Sequence, residues 1–75
     1  MGFELDRQFG QHLRALRMER KWTQEQLCAK LQLIGCDMTR GAYAKIESGT
    51  RHIYLDDLKA LQKVLEISFD DLLSF

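Results

Sequence analysis

The side chains in this sequence that are best suited to bind a ligand lie on one predicted helix, residues 40–48. Arg40 and Lys45 are expected to face outward there, beside several small residues. Those small residues are Gly41, Ala42 and Ala44. An arginine can donate two hydrogen bonds to one guanine, and an alanine can contact the methyl group of thymine. Side chains of these types are chemically able to contact DNA bases.

Two helix-start signals position this surface. Thr23 can cap a helix over residues 24–33, and Gln26 three residues later completes a capping box. Thr39 repeats the start signal for the outward-facing helix, and Gly49 can end that helix in a left-handed conformation. Two short capped helices joined by a turn predict a helix-turn-helix.

Three further helices are predicted around this pair, over residues 5–20, 55–65 and 69–73. Their apolar residues recur at the spacing of one helix face. The residues expected to face the core on these helices are Leu5, Phe9, Leu13, Leu16, Leu55, Leu58, Leu61, Leu65, Phe69, Leu72 and Leu73. The sequence thus predicts an all-α, compact five-helix domain that occupies residues 1–75.

The cysteines and histidines do not form a metal-binding pattern. Cys28 and Cys36 match no zinc spacing, and His12 and His52 lie far from both in sequence. We expect both thiols to be reduced and unliganded. The sequence also lacks a glycine-rich phosphate loop and an evident pair of nucleophile and base. We therefore expect no enzyme activity, no cofactor, no metal and no small-molecule ligand.

Charge is distributed unevenly although the formal net charge is zero. Residues 1–52 carry an excess of three positive charges, and residues 53–75 carry an excess of three negative charges. The basic part contains both capped helices, which favours a nucleic-acid partner, and chance asymmetry is the alternative. No apolar stretch approaches the roughly 20 residues of a membrane span. Residues 1–7 lack the apolar block of a signal peptide, so we expect a cytoplasmic protein without a membrane partner.

A set of short motifs, in their order and spacing, resembles the lambda-repressor-like helix-turn-helix family, also called Cro/C1 or XRE type. The motifs are LRALR at residues 13–17, WTQEQL at 22–27, residues 39–49 with the ending IESG, LDDL at 55–58 and ISFDDLL at 67–73. The resemblance covers about four-fifths of the chain. It implies a repressor-like transcriptional regulator that binds double-stranded DNA sequence-specifically, with helix 40–48 in the major groove.

The resemblance also implies which residues read the bases. Thr39 and Arg40 begin the recognition helix. Arg40, Gly41, Ala42 and Lys45 then face the base edges or the adjacent backbone. We expect Arg40 to be the main base reader and Lys45 the second. A phosphate contact for Arg40 and a solvated charge at Lys45 remain the alternatives.

Two further residues are implied to contact phosphates. Gln24 matches the family glutamine that reaches a phosphate and braces the next helix. Arg51 matches the basic loop residue that holds the far phosphate. The alternatives are a first-turn helix residue for Gln24 and a solvated charge for Arg51.

The sequence departs from the family pattern at four places. The connector at residues 34–38 is about five residues longer than usual, which bears on the pose of the recognition helix. Cys28 replaces an alanine, and Gln32 and Glu66 stand where glycines are common.

Arg17 and Glu47 are implied by the resemblance to form a structural ion pair between the first and third helices. The alternative is two exposed charges that never meet. The two readings differ in the expected cost of removing one partner, because a buried charge left alone is far more costly than an exposed one.

Two assembly hypotheses accompany this interpretation. A neutral chain with an apolar C-terminal end could instead be a protein-protein interaction module that uses the same fold. Alternatively, two copies could form a homodimer through the fourth and fifth helices and the C-terminal end, and read two half-sites. Phe75 is the stronger interface candidate there, whereas Leu72 and Leu73 are expected to belong to the core.

Overall fold

Five helices make up the fold in this computed structural model, which describes residues 4–75. They are α1 (Glu4–Glu19), α2 (Gln24–Leu33), α3 (Arg40–Ser48), α4 (Leu55–Leu65) and α5 (Phe69–Leu72). Residues 4–75 contain no strand, which confirms the all-α fold class. Every helix end lies within one residue of the position that the sequence predicts. None of these helices is long and apolar enough to cross a membrane.

Side-chain caps set where the short helices begin. Thr23 and Gln26 form the predicted capping box, in which each side chain bonds the backbone N–H of the other residue. Ser68 caps α5 by accepting a hydrogen bond from the Asp71 backbone at 3.0 Å. These caps satisfy backbone donors that a helix start leaves unpaired, so α2 and α5 begin where the sequence places them.

The long connector between α2 and α3 is an ordered turn. Gly35 takes a left-handed conformation with φ +89°. The Cys36 N–H bonds the Leu31 carbonyl at 2.9 Å, and the Gly35 N–H bonds the Gln32 carbonyl at 3.1 Å. This pair of hydrogen bonds is a Schellman motif, which ends α2 and reverses the chain. Met38 is then buried in the core, so the connector is anchored at both ends.

One apolar core joins the five helices. Its fully buried members include side chains from every helix, with Tyr43 as the largest. The buried apolar residues are Phe9, Leu13, Leu27, Cys28, Leu31, Met38, Tyr43, Ile46, Ala60, Leu61, Leu65 and Leu72. Cys28 thus packs as a small apolar residue where α2 meets its neighbours.

Four residues expected to face the core are exposed. Leu5 and Leu55 occupy the first turns of α1 and α4 and are 71% and 77% exposed. Phe69 and Leu73 are 41% and 48% exposed. The short α5 presents a single position, Leu72, to the core.

Two glycines allow α1 to lie directly against α3. A β-carbon at Gly10 would come within 2.4 Å of the backbone carbonyl oxygens of Ile46 and Glu47. A β-carbon at Gly49 would come within 2.5 Å of the Arg7 α-carbon. Since these are backbone atoms that cannot move aside cheaply, this crossing of α1 and α3 requires residues without side chains. It fixes the position of α3 on the rest of the domain.

Candidate nucleic-acid interface

α3 presents one apolar side to the core and one polar side to solvent. Tyr43, Ile46 and Glu47 are buried. Arg40 and Lys45, on the other side, are exposed. Gly41 is exposed as well, and a β-carbon there would meet nothing within 4 Å. The structure therefore brings these three predicted base-reading residues together on one open surface.

The N-terminus of α3 is capped and open to solvent. Thr39 is exposed, and its Oγ1 accepts a hydrogen bond from the Ala42 N–H at 3.1 Å. Ala42 is half-buried and packs against the core, so it offers less surface than Arg40 or Gly41. The helix ends at Gly49, which takes a left-handed conformation with φ +76°. An open helix N-terminus favours negative charge, because its unpaired N–H groups point outward.

Gln24 links the start of α2 to the end of α3. Its side chain is half-buried, and its Nε2 donates a hydrogen bond to Glu47 Oε1 at 3.1 Å. A side-chain amide carries two N–H donors, so one donor remains for another acceptor. The side chain can thus brace α3 and still bind an anion.

Arg51 stands apart from the other predicted residues, on the loop between α3 and α4. Its Nη2 lies 3.8 Å from Asp57 Oδ2, and its guanidinium lies 5.6 Å from the centre of the Tyr54 ring. The side chain is about one-third exposed. An anion at this site would therefore compete with Asp57 for Arg51.

Glu25 on α2 forms an ion pair with Arg40 that the sequence analysis did not single out. Glu25 Oε2 lies 3.6 Å from Arg40 Nε, and the two side chains are 70% and 60% exposed. No sequence signal marks this pair, because the partners lie on different helices. The two residues come together only through the packing of α2 against α3.

Arg17 and Glu47 meet in a buried network that joins α1, α2 and α3. Arg17 Nε donates to Glu47 Oε2 at 2.7 Å, and Arg17 Nη1 donates to the Trp22 carbonyl at 2.7 Å. The Tyr43 hydroxyl donates to the same Glu47 carboxylate. Within residues 4–75, no buried side-chain nitrogen or oxygen lacks a hydrogen-bond partner. Such full pairing makes a buried charge tolerable.

The protonation states in this network follow from its hydrogen bonds. Burial alone would raise the pKa of the Glu47 carboxyl, but hydrogen bonds from Arg17, Tyr43 and Gln24 outweigh burial and lower that pKa. The hydrogen bond to Glu47 raises the pKa of Arg17, and burial raises the pKa of the Tyr43 hydroxyl. Glu47 is thus an anion, Arg17 a cation and Tyr43 a neutral donor around neutral pH.

The cysteines lie outside this surface. Cys28 is buried, and the half-buried Cys36 places its thiol 3.6 Å from Asp57 Oδ1. Burial raises the pKa of both thiols, which keeps them protonated and weakly nucleophilic. In the part of the chain that the structure describes, no three His, Cys, Asp or Glu side chains are grouped to hold a metal ion.

Comparison with known proteins matches this arrangement to a helix-turn-helix family. The family model HTH_3, described as helix-turn-helix, matches residues 13–72, from the middle of α1 to the end of α5. Control protein C.BamHI from Bacillus amyloliquefaciens is 35% identical over 68 residues, which cover 89% of this chain and 78% of that protein. No solved structure matches the chain.

Proposed function

We propose that this chain, which belongs to the HTH_3 helix-turn-helix family, reads DNA by placing α3 in the major groove. Family membership confirms the resemblance to lambda-repressor-like domains. The protein is accordingly a regulator of transcription that binds double-stranded DNA, and its family is not an enzyme family. We further propose which residues contact the DNA, how the chain assembles and that it acts as a repressor.

One observation supports α3 as the recognition helix. Its side facing the core is filled by buried residues, while Arg40, Gly41 and Lys45 are exposed on the other side. An α-helix fits the major groove of B-DNA, where each base pair shows a distinct pattern of donors and acceptors. Arg40 is the main base reader, and Lys45 is the second. Gly41 and Ala42 allow the backbone to approach the DNA closely.

Three residues position the domain on the DNA backbone. Thr39 holds the open N-terminus of α3, where backbone N–H groups attract phosphate. Gln24 uses its second N–H donor for a phosphate while the first braces Glu47. Arg51 leaves its ion pair with Asp57 and binds the far phosphate. Contacts of this kind fix orientation without reading sequence.

A homodimer would supply the second half of the DNA contact surface. The exposed apolar residues on α4, α5 and the C-terminal end support it, since Leu55, Phe69, Leu73 and Phe75 are all more than 40% exposed. A two-fold dimer through this surface would read two half-sites about one helical turn apart. A dimer that covers a promoter fits the repressor-like role that the resemblance implies. The protein would carry out this role in the cytoplasm. The proposed role also extends to this chain the control function that the name of C.BamHI states.

A binding selection followed by a salt titration tests DNA reading by α3. Genomic fragments are enriched on the wild-type protein, and the affinity for the best fragment is measured at increasing salt. We expect one enriched sequence and an affinity that falls by a log–log slope of about −0.9 for each phosphate contacted. Arg40→Ala should remove the preference at particular base pairs. A selection that enriches no sequence would contradict the proposal and favour a protein-binding module.

Sedimentation velocity tests the dimer. The wild-type protein is expected to sediment as a dimer, free or on the selected fragment, and Phe75→Ser should weaken that dimer. Leu33→Ser is the matched control, because Leu33 is 86% exposed but lies at the end of α2. A strict monomer in both states would refute the dimer and leave DNA reading by α3 untouched.

A further inference from the structure

We propose that Glu25 determines specificity by holding Arg40 ready for a base and by discouraging its use on phosphates. This inference rests on the proposed role of α3. It assigns a function to Glu25, an acidic residue on a surface that is proposed to bind DNA, a polyanion.

The fold fixes the distance between the two charges. Glu25 lies in the first turn of α2, and Arg40 is the first residue of α3. The hydrogen bond from Gln24 to Glu47 ties the start of α2 to the end of α3, and both helices pack on the shared core. Glu25 Oε2 therefore stays near Arg40 Nε, at 3.6 Å, without any contact from DNA.

The geometry leaves the base-reading edge of Arg40 free. A guanidinium carries five N–H donors in a planar fork. The Glu25 carboxylate lies nearest to Nε. The two terminal nitrogens, Nη1 and Nη2, remain available for guanine O6 and N7. At 3.6 Å the pair is longer than a hydrogen bond, so it orients Arg40 without locking it.

The same carboxylate acts against binding at arbitrary sequences. An unpaired arginine on this surface could contact a phosphate in any duplex, and such contacts account for essentially all non-specific binding. Glu25 competes for Arg40 and repels nearby phosphates. At the correct site the terminal nitrogens of Arg40 bond a base while the ion pair at Nε stays in place. At an arbitrary sequence the phosphate is repelled by Glu25, and no bond to a base offsets that repulsion. Glu25 thus lowers non-specific affinity more than specific affinity.

The substitution Glu25→Gln tests this by removing the charge at nearly constant size. Two duplexes of equal length are compared, the sequence enriched by the wild-type protein and a scrambled version of it. We expect affinity for the scrambled duplex to rise about fivefold, the upper range for an exposed ion pair. Its salt slope should steepen by about 0.9, because Arg40 gains one phosphate. Affinity for the enriched duplex should change less, so the specificity ratio falls.

Two control variants separate this effect from a simple change in net charge. Glu19→Gln makes the same charge change at the end of α1, where Glu19 lies 3.9 Å from Arg20. It should leave the specificity ratio unchanged. In an Arg40→Ala background, Glu25→Gln should also leave the ratio unchanged, since the partner is gone.

The outcomes distinguish this inference from the proposal beneath it. Equal gains on both duplexes, or a fallen ratio that persists without Arg40, would overturn the role of Glu25 while DNA reading by α3 stands. Failure of the wild-type protein to enrich any sequence would overturn both. Thermal melting of each variant checks the fold, and the exposed position of Glu25 predicts unchanged melting.

Discussion

Two arginine–glutamate pairs in this domain have the same chemistry and opposite surroundings. Arg17 and Glu47 meet at 2.7 Å with side chains 10% and 4% exposed. Arg40 and Glu25 meet at 3.6 Å with side chains 60% and 70% exposed. In the buried pair, Tyr43, Gln24 and the Trp22 carbonyl complete the hydrogen bonding, whereas solvent surrounds the exposed pair. Burial makes such a pair a structural joint, while exposure leaves its arginine accessible to a ligand.

The largest effect is expected at the buried joint. Glu47→Ala should lower the free energy of unfolding by about 3–5 kcal/mol, because it leaves the Arg17 charge buried without its partner. Urea denaturation of the variant and the wild-type protein measures this. A loss below about 1 kcal/mol would mean that the two pairs do not differ in kind.

The close crossing of α1 and α3 that surrounds this joint comes next. Gly10→Ala should cost about 1–3 kcal/mol or more, since the new β-carbon meets backbone carbonyl oxygens. Gly41→Ala is the matched control, because a β-carbon there meets nothing within 4 Å. That control should raise stability by about 0.5–1 kcal/mol, as alanine favours a helix more than glycine does. Equal melting temperatures for both variants would contradict the tight crossing.

The exposed pair should show its effect on binding. Arg40→Ala is expected to cost about 1–3 kcal/mol of discrimination at one base pair of the enriched sequence. Stability should stay within about 0.5 kcal/mol of wild type, because the residue is on the surface. Competition binding with single base-pair variants of that sequence measures the discrimination. An equal loss at every base pair would assign Arg40 to a phosphate instead.

The smallest effect is expected for the exposed glutamate on stability. Glu25→Ala should change the free energy of unfolding by less than about 1 kcal/mol, since solvent screens an exposed pair. Urea denaturation beside Glu47→Ala gives the direct comparison of the two pairs. A cost near that of Glu47→Ala would mean that exposure does not weaken the pair of Arg40 and Glu25.

Local signals made the helices predictable. The caps at Thr23, Thr39 and Ser68 and the stop at Gly49 act within one turn of the chain, so their effect can be read from adjacent residues. Apolar spacing identified most of the core for the same reason. It failed at Leu5 and Leu55, because spacing gives the face of a helix but not how far that face stays covered.

The roles of the site residues divide in a similar way. The outward position of Arg40 and Lys45 follows from helical spacing beside Tyr43 and Ile46. The resemblance supplied the pair of Arg17 and Glu47, which no local signal contains. The ion pair of Glu25 with Arg40 has no sequence signal, because an acidic residue in a first turn already has a sufficient local explanation in the helix dipole.

By itself, the sequence determined that five helices form and which side of α3 carries its polar residues, because both depend on neighbours within a turn or two. Only the tertiary structure decided which charges meet and where two backbones touch. The partners in those contacts are distant in the chain. Arg17 and Glu47 are 30 residues apart, and Gly10 lies on α1 whereas Ile46 lies on α3. Their meeting depends on how the core packs. The same packing buries one arginine–glutamate pair and leaves the other exposed.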